Sequence, residues 1–91
     1  MKKSIRLYLT GSVQSLFFRQ FVKEHAEKNN VNGYLRHLED GRMEIFLEGE
    51  SSGVDSMIEI CKKGPKYSNI RDFEIKEEKL QDFKEFKIIK F

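Results

Sequence analysis

Between residues 4 and 10 apolar and polar side chains alternate without a break. Ile5, Leu7 and Leu9 fall on one side, and Arg6, Tyr8 and Thr10 on the other. A period of two marks a strand with one face in a core. Gly11-Ser12-Val13-Gln14-Ser15 interrupts the alternation and reads as a loop. From Phe18 the period lengthens, because Phe18, Phe21, Val22 and Ala26 follow the spacing of one helical stripe. Asn29-Asn30 ends that helix, since Asn is second to Gly in accepting the left-handed cap conformation. Residues 33–38 and 42–48 read as strands around Glu39-Asp40-Gly41, an Asp-Gly hairpin signal, with Met43, Ile45 and Leu47 on the buried face. Ser51-Ser52 is placed to cap a second helix, whose stripe is Val54, Met57, Ile58 and Cys61, and Gly64-Pro65 stops it. Residues 70–77 alternate through Phe73 and Ile75. Phe86, Ile88, Ile89 and Phe91 form a last apolar run.

The predicted order is β-α-β-β-α-β with a fifth strand at the end. Two helices with one apolar stripe each need a sheet to cover, which predicts an α+β, ferredoxin-like two-layer sandwich. Both helices would lie on one face of an antiparallel sheet. With 91 residues and no internal linker, repeat or low-complexity stretch, residues 1–91 are read as a single domain. Seventeen Lys and Arg against fifteen Asp and Glu leave a net charge of +2, too even for a surface built to wrap nucleic acid. Low Gly and Pro with abundant aromatics exclude disorder. A single Cys61 excludes an internal disulfide and a cysteine-based zinc site. No run approaches a membrane span, and Arg6 breaks the only apolar segment behind Met1-Lys2-Lys3, so no signal peptide is read. The expectation is a cytoplasmic monomer with no membrane partner.

Residues 11–19 are the most informative segment. A strand ends, a short loop with Gly and two Ser follows, and a helix begins. The first amides of a helix lack internal partners, and together with the helix dipole they favour an anion. Arg19 in the first helical turn opposes that dipole unless an anion compensates it. From the residues alone, Arg19 either holds an anion or lies solvated along the surface.

Gly11-Ser12-Val13-Gln14-Ser15-Leu16-Phe17-Phe18-Arg19 resembles the acylphosphatase signature G-x-V-Q-G-V-x-F-R. Gly33-Tyr34-Leu35-Arg36-His37-Leu38-Glu39-Asp40-Gly41 resembles the second block of that family, G-W-V-R-N-x-x-D-G, and Gly64-Pro65 also fits. The resemblance covers nearly the whole chain. It implies hydrolysis of a carboxyl–phosphate anhydride to carboxylate and inorganic phosphate, with no metal and no cofactor. It also implies that Arg19 holds the phosphoryl group and that the amides of Ser12, Val13, Gln14, Ser15, Leu16, Phe17 and Phe18 cradle its oxygens. The implied partner is a small acyl phosphate or inorganic phosphate. An acyl phosphate has a good leaving group, so positioning and charge stabilisation carry most of such a reaction. Arg suits the task because its planar fork donates two hydrogen bonds and keeps its charge.

Two positions depart from the pattern. His37 stands where the family carries its water-positioning Asn, and Ser15 stands at a signature Gly. Neutral His accepts on one nitrogen and donates on the other, but its reach differs from that of Asn and it titrates near neutral pH. His37 therefore either substitutes for Asn, or fills an inactive site, or merely ends a strand. Ser15 either strains a positive-φ position, at about 1–2 kcal/mol, or adds a hydroxyl donor. The remaining candidates have plainer readings. His25 borders the first helical stripe, Cys61 packs on the second, and residues 81–87 form a charged loop and solvated edge strand. Tyr8, Tyr34 and Phe46 suggest a base-stacking sheet, yet the third strand lacks the basic-aromatic motif of RNA-binding modules. Its Glu44 and Glu48 would repel phosphates.

Overall fold

The computed structural model describes residues 1–11, 16–66 and 68–89. Five strands and two helices follow in the order β1 (Lys2–Gly11), α1 (Leu16–Lys28), β2 (Asn32–His37), β3 (Met43–Glu50), α2 (Ser51–Lys63), β4 (Ile70–Glu78) and β5 (Phe86–Ile88). They build one sheet of order β4-β1-β3-β2-β5. The sheet is antiparallel except at β2–β5, which pair parallel, so the expected all-antiparallel sheet is corrected to a mixed one. The reason is connectivity. β4 lies at one edge and β5 at the other, so the chain crosses the sheet before β5 is laid down beside β2.

The alternation sets the register. Leu7 lies opposite Ile45 on β3 and Ile75 on β4, and Leu35 lies opposite Ile45 and Ile88, so the alternating apolar positions of all five strands, Phe46 apart, share one face. Phe18, Val22 and Ala26 of α1 and Val54, Met57 and Cys61 of α2 cover that face and close the core. Phe73 and Ile75 point the same way but sit at the β4 edge, where they stay partly exposed and the Phe73 ring lies 4.3 Å beneath the Lys62 ammonium.

The turns are built as the residue types predict, with two differences. Asn30 adopts a φ of 55°, and the Val31 amide donates to the Ala26 carbonyl at 2.9 Å, so the Asn pair does close α1. In the hairpin, the Asp40 carboxylate accepts from the Arg42 amide at 3.0 Å and from its guanidinium at 2.8 Å, while Gly41 takes a φ of 91°. α1 begins at Leu16, earlier than its apolar stripe shows. Ser51 does not cap α2. β3 runs straight into the helix, Glu50 is the cap residue, and the amide and hydroxyl of Ser51 both donate to the Met1 carbonyl, at 2.8 and 2.7 Å.

The open face of the sheet is not bare. Residues 79–85 cross it, so the charged loop is a strap, and the expected edge strand follows it as β5. Its anchor is Glu48, 6% exposed, whose carboxylate accepts from the Gln81 amide (2.5 Å), the Phe83 amide (2.9 Å) and the Ser4 hydroxyl (2.8 Å). Asp82 between them has a φ of 61°, so successive strap amides converge on one anion as in a backbone nest. The Phe83 ring packs 5.2 Å from Phe46 and 5.7 Å from Tyr34. Those two rings are thereby covered, which removes them as a stacking platform.

Candidate functional site

The site end of the molecule is set by β1. Its pairing with β4 slips at Thr10/Gly11, and Gly11 takes a φ of 140°. A Cβ there would lie 2.1 Å from the Asn69 carbonyl oxygen, so only glycine fits where the strand is left. Ser12, Val13, Gln14 and Ser15, expected to cradle phosphate, lie outside the described residues, and with them the question of a positive φ at Ser15.

α1 follows directly. Its first turn, Leu16-Phe17-Phe18-Arg19, contains no acid, so nothing on the helix itself balances the positive end of its dipole. Phe18 is 1% exposed and locks this turn to the core, while Phe17 beside it is 73% exposed. Arg19 is half-buried, and its Nε is buried with no hydrogen-bond partner among the described residues. A guanidinium N–H taken from water and left unmet is expensive, and an anion is the natural acceptor.

His37 is the last residue of β2 and half-buried. β1 and β2 both run antiparallel to β3, so their ends, Gly11 and His37, share one end of the sheet with the start of α1. Met43 lies opposite both Leu9 and His37, which puts His37 on the helix-covered face, two strand spacings or about 10 Å from Leu9. Gly33, which opens the second sequence block, takes a φ of 141°, and a Cβ there would sit 1.9 Å from the Phe46 carbonyl oxygen.

The other candidates separate from this end. Cys61 is fully buried, and burial pushes its thiol up to about 12, which leaves it a packing residue. His25 packs its ring 4.5 Å from Phe21 on the outer side of α1. Among the described residues no three His, Cys, Asp or Glu side chains gather as metal ligands, and no helix is long and apolar enough to cross a membrane. Sequence reasoning missed the strand glutamates. Glu44 is 3% exposed, and its carboxylate accepts from Arg36 Nε at 2.6 Å and Tyr34 Oη at 3.0 Å, so it is paired and screened rather than presented to a ligand. The signal was available, since a strand flanked by strands on both sides leaves its polar positions little water. Also missed was the exposed side chain of Phe17, considered at first only for its amide.

A helix start that lacks acids, an Arg19 Nε unmet among the described residues and a glycine-forced exit from an inner strand come together at one end of an α+β sandwich. A sequence model of the acylphosphatase family matches residues 5–88. An acylphosphatase of Rubrobacter xylanophilus is 41% identical over 76 residues, 84% of this chain and 69% of that protein. One of Syntrophus aciditrophicus is 34% identical over 90 residues, 98% of this chain and 94% of that one. The crystal structure of acylphosphatase from Bacillus subtilis superposes with a TM-score of 0.90 at 32% identity, covering 99% of this chain and 100% of that one. The chain belongs to the acylphosphatase family, and with it to the acid-anhydride hydrolases.

Proposed function

We propose that this protein hydrolyses the carboxyl–phosphate bond of a small acyl phosphate. Water oxygen bonds to phosphorus while the bond from phosphorus to the carboxyl oxygen breaks, and the electron pair leaves on the carboxylate. Arg19 grips the phosphoryl oxygens through its fork, the amides of residues 12–18 cradle them, and His37 orients the attacking water. Family membership and the placement of Arg19 and His37 at one end of the sheet support these roles. The observation that carries the reading is the buried Nε of Arg19, unpartnered among the described residues, in a first turn without acids. The chain acts as a monomer and needs no other macromolecule.

The test is hydrolysis of acetyl phosphate alongside calorimetric binding of inorganic phosphate, for the native protein and Arg19→Ala. The native protein turns over and binds, and the variant loses both by at least about a hundredfold while its circular dichroism is unchanged. Unaltered phosphate affinity in the variant would refute the assignment. A second reading rests on His37 alone, the residue that replaces Asn. The fold then keeps its anion site as a binding protein with little turnover, and phosphate binding without hydrolysis would select it.

A further inference from the structure

The Phe17 side chain is a large apolar group left mostly in water at the end of the molecule where phosphate is proposed to sit. It is not isolated. Residues four apart on a helix lie on one stripe, with side chains tilted toward the helix start, so Phe17, Phe21 and His25 form a ladder along the outer side of α1. The Phe21 ring stands 4.5 Å from the His25 ring and 6.5 Å from Phe18, which anchors the ladder in the core. Opposite the ladder stands Pro65, in the turn after α2. Between them lies a groove of about 370 Å³, also lined by Gln20.

We infer that this groove receives the acyl group of the substrate and that it selects an aromatic or bulky apolar acyl group over acetyl. The inference rests on the proposed phosphate site. Phe17 belongs to both places, since its amide lies in the turn that faces the proposed phosphoryl site and its ring lines the groove. An acyl phosphate held by its phosphorus at that turn therefore starts beside an apolar surface. The size fits, because a cavity of about 150 Å³ already holds a benzene ring. The chemistry fits as well. Two phenyl rings and an imidazole offer faces and edges for an aromatic acyl group, and Glu24 and Lys66 put one charge of each sign on the lining, which gives no net pull on a charged acyl chain.

The experiment compares kcat/KM for benzoyl phosphate and acetyl phosphate in the native protein, Phe17→Ala, Phe21→Ala and Phe17→Trp. In parallel, calorimetry measures binding of the non-hydrolysable benzylphosphonate and methylphosphonate. The native protein favours benzoyl phosphate by about tenfold or more, the usual worth of a good apolar contact. Either alanine variant brings the ratio toward one, chiefly through KM, and Phe17→Trp keeps it. Benzylphosphonate binds more tightly than methylphosphonate and loses that advantage in Phe17→Ala. A ratio unchanged in both alanine variants, or no native preference in either assay, overturns the groove while leaving the hydrolase reading intact. If neither acyl phosphate turns over but the phosphonate preference appears and depends on Phe17, the groove stands and the hydrolase reading falls. Binding of neither phosphonate together with turnover of neither acyl phosphate overturns both.

Discussion

His37 closes β2 on the helix-covered face, at the same end as the first turn of α1. As the proposed water holder it presents a ring nitrogen where the family carries an Asn amide, and the reach of the two groups differs. His37→Asn is therefore expected to raise the rate by about ten- to a hundredfold, the usual scale of a repositioned reactant. Initial rates of acetyl-phosphate hydrolysis by the two proteins decide it. Equal rates would make His37 a bystander. Residues whose role depends on near neighbours were legible in the sequence. Asn30 caps because its own backbone tolerates the left-handed region, and Asp40 turns because it reaches an amide two residues on. Ser51 was misread because its partner, the Met1 carbonyl, comes from the far end of the chain. Glu44 was misread because its alternation was read by itself, without the strands that the predicted fold sets on both sides of β3.

Among the elements, the strap over the open face depends on Glu48 more than on its own residues. Burial pushes this carboxyl up, but the strap amide of Gln81, then the Ser4 hydroxyl and the amides of Phe83 and Asp82, outweigh burial and hold it below the usual carboxylate range. A folded value depressed below the unfolded one contributes stability above the unfolded value, and that contribution is lost as pH falls through the folded one. Acid should therefore loosen the strap first. Glu48→Gln, with one acceptor oxygen in place of two and no charge, is expected to cost about 2–3 kcal/mol at neutral pH and to flatten the acid dependence of the urea midpoint. An unchanged midpoint across that range would show that the strap holds by Phe83 alone. Order and type of the elements could be read because each strand and helix has its own period. The strap and the parallel β2–β5 pair could not be, because residues 79–85 carry no periodicity and are ordered by a carboxylate on β3.

At the scale of the molecule, one apolar layer between two helices and the sheet carries the fold. Leu47 is fully buried in that layer. Leu47→Ala should cost about 2–5 kcal/mol through lost transfer and the cavity left behind. For a domain of this size that lowers Tm by roughly 10–25 °C, and a thermal scan reading less than a few degrees would mean the layer repacks. The two-layer form was legible because it follows from the apolar stripes. The proposed site at one end of the sheet was legible as a unit only through its two sequence blocks, since the spacing of Arg19 and His37 in the chain does not announce that β1 and β2 end together. The sheet order also has a consequence in time. β1 is synthesised before both of its neighbours, β3 and β4, and β4 is completed only at Glu78. On a growing chain the β1 edge that faces β4 therefore stays unpaired until residues 70–78 have emerged, and the strap cannot close until Phe83 has followed. Pairings between such distant segments form slowly. Until then the nascent domain stays open to chaperones, and to mispairing with other chains.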